Sequence, residues 1–299
     1  MQHFTNFELK NYTSFKIGGK AQNVYFPENT AEFIELLEKL ENPLVLGGMS
    51  NVLISSLGIE QDVILTKKLN HYEVNNDKIY AQAGVMGPIL SRIATEKSLS
   101  GMEFMCGFPG TIGGIVAMNA GAHKQCISDI FLEANVFDKN SKKIYTFTKE
   151  DMSFDYRKSI ILDKNFIILD AKFKLISKEQ SQIITRVNEN QNFRKEKQPN
   201  LSTPNCGSVF RNPTNESAGR LLEEVGAKDF IVGGAKVYEK HANFIINFDN
   251  ATSTDVSKLI KKMYNEVNNK FSIKLKPEVR FIGNMNEEEK EIWNELLNN

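Results

Sequence analysis

Apolar positions fall at helical spacing in a few stretches and in short strand-like runs elsewhere. After Thr30, the residues Phe33, Leu36, Leu37 and Leu40 share one face, which predicts a helix. Pro43–Leu46 reads as a buried strand running straight into Gly47–Asn51, and Val52–Ile54 resumes as a strand. Strands are also expected at Ser14–Ile17, Val24–Pro27, Val63–Leu65, Tyr72–Val74 and Lys78–Ala81, with a hairpin turn at Asn75–Asp77. Gly84–Glu96 continues as a helix, with Ile89, Leu90 and Ile93 apolar. Beyond a glycine-rich stretch come strands at Leu132–Phe137, Lys143–Phe147 and Phe166–Ala171. A polar helix between Glu179 and Lys197 precedes Pro199 and Pro204, where the main domain boundary is placed. The last part holds a helix at Gly219–Val225, a strand pair at Ala235–Val237 and Phe244–Phe248, and a helix at Thr254–Phe271. A strand at Leu275–Phe281 and an amphipathic helix at Asn286–Leu297 follow. Alternating elements that give way to strands predict an α+β fold rather than a doubly wound sheet.

Charge narrows the classes. Lys plus Arg and Asp plus Glu both number 37 in 299 residues, so no global charge draws the chain to nucleic acid or to an anionic membrane. The N-terminus lacks a basic stretch followed by an apolar one, and no apolar run is long enough to span a bilayer. Cys106, Cys126 and Cys206 are odd in number and far apart, which fits reduced thiols in a cytoplasmic protein. Neither Cys-x-x-Cys nor His-x-x-x-His occurs, so no metal is expected.

Candidate chemistry concentrates in glycine-rich loops. Gly101–Ala122, GMEFMCGFPGTIGGIVAMNAGA, mixes glycines with buried apolar residues, which suits a rigid loop whose N–H groups face a phosphate. It matches neither the dinucleotide fingerprint nor a P-loop, and a tight loop between core elements reads it equally well. Gly47-Gly48-Met49-Ser50-Asn51, at a strand's end, is a second candidate phosphate loop, or an ordinary turn. Ser208 in Asn205–Pro213 fits no nucleophile elbow. Phe154–Arg157 and Pro277–Arg280 are weak motifs alone. His241 is a ligand or base, or more simply a hydrogen-bonded structural histidine. Arg194 and Lys197, three apart on one helix, form either a diphosphate clamp or a solvated face.

Read in order, NYTSFKIGG, LGGMSNVL, MEFMCGFPGTIGG with AMNAGA, DYRKS, FRKEKQP, GSVFRNP, AGRLLEEVG, KHANFIIN and LKPEVRFIG run from about Asn11 to Gly283. This series resembles the UDP-N-acetylenolpyruvoylglucosamine reductase family of peptidoglycan synthesis. The resemblance implies a two-subdomain FAD-binding fold of the vanillyl-alcohol-oxidase type, with segments 1–66 and 67–198. A C-terminal α+β substrate domain at 199–283 and a helix at 284–299 complete it. FAD contacts are implied at Gly47, Gly48, Met49, Ser50, Asn51 and Val52. A second set is Phe108, Pro109, Gly110, Thr111, Gly113, Gly114, Ala117, Asn119, Gly121, Ala122 and His123. Related flavoproteins attach FAD through a histidine in the first loop; Met49, Ser50 and Asn51 stand here, so FAD is expected to be non-covalent.

The family's reaction is a hydride relay from NADPH through FAD to the enolpyruvyl ether of UDP-N-acetylglucosamine. Its catalytic positions fall on Arg157, Ser208 and Glu278. Ser208 would protonate C2, while Arg157 and Glu278 polarise the carboxylate and stabilise the enolate-like species. Arg194, Lys197, Asn212, His241 and Asn243 would meet the substrate. Departures from the family pattern fall at Met49, at Asn205-Cys206, at His123-Lys124-Gln125 and at Tyr238. With no tyrosine-bearing insertion between Gly219 and Phe248, the compact type is expected, and it is read as a monomer. The rivals are a flavin oxidase of the same fold and a flavin-binding sensor without turnover.

Overall fold

A computed structural model describes residues 1–298. The chain divides into two compact units, each assembled from separated segments. One comprises Met1–Phe4, Val24–Gly48 and Asp62–Arg194, and the other comprises Thr5–Asn23, Met49–Gln61 and Lys195–Asn299. Compactness therefore groups the N-terminal loops differently from a division into consecutive segments. The first phosphate-loop candidate is itself split between Gly48 and Met49.

The first unit is built on two main sheets, with two short two-stranded pairs besides. Val63–Leu65 pairs in parallel with Val24–Tyr25 on one side and with Leu44–Leu46 on the other. The helix Thr30–Lys39 covers this layer, packing Phe33, Leu36 and Leu37 with Ile64, Leu69 and Phe137. Asn29 caps that helix by accepting from Glu32 N–H at 2.9 Å. The larger sheet is antiparallel, in the order Lys143–Thr148, Phe131–Asp138, Phe166–Lys174, Lys78–Gln82, Tyr72–Asn75. Against its core of Phe131, Phe173 and Ala171 lies a six-residue helix, Ile112–Ala117, formed by the glycine-rich stretch itself.

The second unit is built on an antiparallel sheet of Asn205–Ser208, His241–Asn247, Ala235–Tyr238 and Ile231–Val232. The helix Ser253–Phe271 buries Val256, Leu259, Ile260, Met263 and Val267 in the same core as Phe210 and Trp293. Its start is a capping box in which Thr252 and Asp255 satisfy each other's backbone N–H. Fully buried Glu289 ties the last helix, Glu287–Asn298, to this start by accepting from Ser253 Oγ at 2.6 Å and Thr254 Oγ1 at 3.0 Å. Val52–Ile54 and Arg280–Ile282 form a parallel pair.

Several expected elements differ. Ser14–Ile17 is not a strand; Thr13 Oγ1 accepts from Ile17 N–H and donates to Ile17 carbonyl, curling the segment so that Phe15 and Ile17 are both buried. Gln2–Glu8 is a strand that no alternation announced, because nearly all of its residues are exposed. The helix expected from Gly84 begins at Gly87, since Gly84 N–H donates to Leu69 carbonyl at 2.9 Å and a Cβ there would overlap Thr66 carbonyl. The strand expected over Leu275–Phe281 is confined to Arg280–Ile282. Lys276 carbonyl accepts from Arg211 N–H, and Glu278 N–H donates to Val209 carbonyl, so that backbone is committed outside a regular ladder.

Candidate active site

In the first unit, the end of Leu44–Leu46 meets the start of the glycine-rich helix at backbone contact. A Cβ on Gly47 would overlap Thr111 Oγ1, and one on Gly48 would lie 3.4 Å from Gly110 Cα. Thr111 is buried, and its Oγ1 has no hydrogen-bond partner among the described residues. A buried hydroxyl without a partner costs about 1–3 kcal/mol, so a polar ligand atom is its natural complement. Not every N–H here faces outward: Ile112 donates to Val85 carbonyl and Gly113 to Ala83 carbonyl, both at 2.9 Å. The side of the helix at Gly114 is open, with nothing within 4 Å of a built Cβ. An open glycine face beside an unpartnered buried hydroxyl fits the phosphate-bearing part of a dinucleotide such as FAD.

Arg157 occupies a tight turn in which Asp155 and Lys158 exchange both backbone hydrogen bonds, at 3.0 and 3.1 Å. Its φ of 55° lies in the left-handed region, where a bulky side chain is uncommon. Its Nη2 donates to Gly121 carbonyl at 2.8 Å, and its guanidinium carbon lies 5.2 Å from the Tyr156 ring centre. The turn is docked on the glycine-rich segment: Asn119 Nδ2 donates to Asp155 carbonyl at 3.0 Å, and Ser159 Oγ donates to Ala117 carbonyl at 2.6 Å. Asn119 was expected at FAD, yet its carboxamide is also engaged at the other end, where Oδ1 accepts from Ser128 N–H.

Arg194 lies on the last turns of Gln180–Lys197 with its stem against Gly107, where a Cβ would stand 2.7 Å from Cδ. Its Nε is buried and has no partner among the described residues, and burial disfavours its charged form. Lys197, three residues on, is exposed. His123 sits in a hairpin tip with φ of 53° and meets Phe193 edge-on at 5.4 Å. Burial and the charge of Arg186 hold its imidazole below the ordinary value. Phe108, Pro109 and Ala122 are partly exposed beside these residues in sequence, and Ala117 ends the short helix.

In the second unit, Ser208 ends the strand Asn205–Ser208 just after a bulge turned by Gly207, whose φ is 78°. Asn205, one of the departures from the family pattern, helps to build that bulge: its Oδ1 accepts from Gly207 N–H at 2.9 Å. Cys206 beneath is fully buried, and burial pushes its thiol up to about 12. Glu278 N–H donates to Val209 carbonyl at 2.7 Å, so the segments carrying Ser208 and Glu278 run side by side. Asn51 Nδ2 donates to Glu278 carbonyl at 3.0 Å, while Asn51 carbonyl accepts from Arg280 N–H at 3.2 Å. Ahead of it, Met49 takes φ of 47° and its carbonyl receives Ser14 N–H, while Ser14 Oγ donates to Asn205 carbonyl at 2.7 Å; Ser50 and Val52 continue the loop into the strand.

Asn243, expected at the substrate, clasps Phe210: Oδ1 accepts from its N–H at 2.9 Å and Nδ2 donates to its carbonyl at 2.8 Å. His241 Nδ1 accepts from Asn243 N–H at 3.2 Å, and its ring meets Phe244 at 4.8 Å. Burial first, and the charge of Lys228 second, hold its imidazole below the ordinary histidine value. Asn212 Oδ1 accepts from Ala218 N–H at the start of the helix Ala218–Glu224. Sequence reasoning passed over Arg211, inside the motif that carries Ser208. Its Nε is buried without a partner among the described residues; lost hydration, and then the charge of Arg211, disfavour the cation of Arg280. Two neighbouring guanidinium groups of this kind suit an anionic ligand.

Of the three expected catalytic residues, Ser208 and Glu278 thus share one unit and Arg157 belongs to the other. Among the described residues no cluster of His, Cys, Asp and Glu could hold a metal ion, and no helix is long and apolar enough to cross a membrane.

Residues 21–146 match the FAD binding domain, and residues 198–282 match the C-terminal domain of UDP-N-acetylenolpyruvoylglucosamine reductase. The UDP-N-acetylenolpyruvoylglucosamine reductase of Caldicellulosiruptor bescii is 42% identical over 281 residues, covering 92% of this chain and 89% of that one. The enzyme of the same name from Caldicellulosiruptor saccharolyticus is 40% identical, covering 92% and 90%. The crystal structure of UDP-N-acetylenolpyruvylglucosamine reductase from Thermus caldophilus superposes with a TM-score of 0.81 at 30% identity, covering 94% of this chain and 98% of that one.

Proposed function

Because the chain belongs to the FAD-dependent UDP-N-acetylenolpyruvoylglucosamine reductase family, we propose that it uses NADPH to reduce UDP-N-acetylglucosamine enolpyruvate to UDP-N-acetylmuramate. The observation that carries this reading is the hydrogen bond from Glu278 N–H to Val209 carbonyl, which sets the Glu278 segment beside the Ser208 bulge. FAD, held by the loops around Gly47–Asn51 and Thr111–Gly114, would supply the hydride-transfer chemistry between NADPH and C3 of the enolpyruvyl group.

The chain's residues manage the charge and proton that this requires. Hydride arriving at C3 leaves an electron pair at C2, delocalised into the carboxylate. The Ser208 hydroxyl supplies the proton to C2 and is reprotonated from solvent, while Arg157 and Glu278, the latter as its acid form donating a hydrogen bond, stabilise the carboxylate as that charge exists. Gly207, freed from side-chain bulk at φ of 78°, turns the bulge that presents Ser208. The Nε atoms of Arg194 and of Arg211, each without a partner among the described residues, suit anionic groups of such a substrate, the diphosphate first, and Lys197 and Asn212 are further candidates. Thr111, Gly47, Gly48 and Gly114 would line the FAD phosphates, held non-covalently because Met49, Ser50 and Asn51 offer no attachment nucleophile of the histidine kind. In this reading segments 1–66 and 67–198 hold FAD, 199–283 the substrate, and 284–299 closes the second unit. The chain is read as acting as a monomer in the cytoplasm, where its free thiols would stay reduced.

Ser208→Ala tests the chemistry. Flavin content and bleaching by NADPH should match the wild type, while substrate-dependent turnover falls by roughly 10²–10⁴-fold, the usual worth of a positioned acid. Unchanged turnover would remove Ser208 from the mechanism.

A further inference from the structure

Each of the three segments that carry the proposed catalytic residues is gripped by one asparagine carboxamide. Asn119 Nδ2 donates to Asp155 carbonyl in the Arg157 turn at 3.0 Å. Asn51 Nδ2 donates to Glu278 carbonyl itself at 3.0 Å. Asn243 grips Phe210 with both ends of its carboxamide, and its own carbonyl accepts from Val209 N–H at 2.9 Å, one residue beyond Ser208. We infer that Asn51, Asn119 and Asn243 are positioning residues for Glu278, Arg157 and Ser208, rather than side-chain contacts to FAD or substrate. This inference rests on the function proposed above.

Asn119 makes the case most fully. It is buried, with only 6% of its surface exposed. Its φ of 41° is a left-handed conformation that asparagine tolerates better than other side-chain-bearing residues. Its carbonyl oxygen is fixed by Ser128 N–H, so its amino group has one direction, toward Asp155. Ser159, wholly buried, adds a second tie from the same loop to Ala117 carbonyl at 2.6 Å. With both ties made, the Arg157 backbone is set relative to Gly121, whose carbonyl receives the guanidinium. Both ends of the Asn119 carboxamide are thus engaged by protein groups.

The test separates the two half-reactions in rapid-mixing absorbance measurements on the FAD-loaded enzyme. Asn119→Asp keeps the left-handed backbone and the acceptor but removes the donor to Asp155. Flavin affinity and the rate of bleaching by NADPH should stay within about two-fold of wild type. Reoxidation by UDP-N-acetylglucosamine enolpyruvate should slow by roughly 10–100-fold, as expected when a reacting group drifts by an ångström or less. Ser159→Ala should do the same more mildly, and it keeps the question answerable if Asn119→Asp fails to fold. Weaker FAD binding by Asn119→Asp would make it a cofactor ligand, and equal slowing of both half-reactions would make it a general structural stitch. Either outcome overturns the inference, as does reoxidation at the wild-type rate in both variants. If the wild type itself is bleached but not reoxidised by this substrate, the proposed function falls and the inference with it.

Discussion

Gly47→Ala should damage the enzyme through a single atom, Thr111 Oγ1. A Cβ built on Gly47 overlaps that hydroxyl, while its next contacts, Thr111 Cβ and Cγ2 at 3.4 and 3.8 Å, are ordinary. The separation falls about 1 Å or more short of a comfortable contact, and Thr111 is buried, so its rotation is restricted. Overpacking of this kind costs about 1–3 kcal/mol. At roughly 2–4 °C per kcal/mol, the apoprotein should melt about 2–12 °C lower. If the displaced threonine also serves the cofactor phosphates, FAD affinity should fall by about 5–150-fold over the same energy range. The second-site change Thr111→Ala should restore the melting temperature of Gly47→Ala, because it deletes the overlapping atom and an unsatisfied buried hydroxyl together. It should not restore FAD affinity. Differential scanning fluorimetry and flavin-fluorescence titration on all four members of the cycle give the coupling directly. Additive melting temperatures, with no rescue by Thr111→Ala, would refute this reasoning.

Two further outcomes follow from the titratable groups. His241 is held below the ordinary histidine value of 6.5 in the fold, so the unfolded chain binds the extra proton first. Its contribution is complete above that value and is lost as pH falls from there toward the folded pKa; His241→Gln should flatten this part of an acid-unfolding profile. Cys206, fully buried with its thiol pushed up to about 12, should resist an alkylating reagent in the native protein and react only on unfolding. Mass-spectrometric mapping that found Cys206 modified as fast as partly exposed Cys126 would contradict that.

Much of the fold was legible in the sequence where burial is one-sided. Thr30–Lys39 and Ser253–Phe271 each bury a single apolar face, and the hairpin at Tyr72–Gln82 is announced by its Asn-Asn-Asp turn. Gln2–Glu8 was illegible because a strand with hardly any buried residues carries no pattern. The late start of the helix at Gly87 and the shortening of the strand at Arg280 depend on partners far along the chain: Thr66 and Leu69 in one case, Val209 and Arg211 in the other. The two compact units are discontinuous for the same reason, since nothing local tells Met49 that it belongs with Lys195 onward.

The site was legible through its motifs and much less through their geometry. The resemblance pointed to Arg157, Ser208 and Glu278, but only coordinates reveal that Asn119 faces Asp155 and that Asn243 clasps Phe210. Arg211 was passed over because a lone arginine after a phenylalanine has no signature; the burial of its Nε, without a partner among the described residues, shows only in three dimensions. Asn205, noted as a departure from the family, turns out to brace Gly207.

The most direct measurement is an anaerobic titration of the purified protein, following the visible flavin band. NADPH is added until the band bleaches, and UDP-N-acetylglucosamine enolpyruvate is then added without oxygen. The yellow band should return in proportion to the substrate added. A preparation that bleaches and stays colourless with this substrate would contradict it.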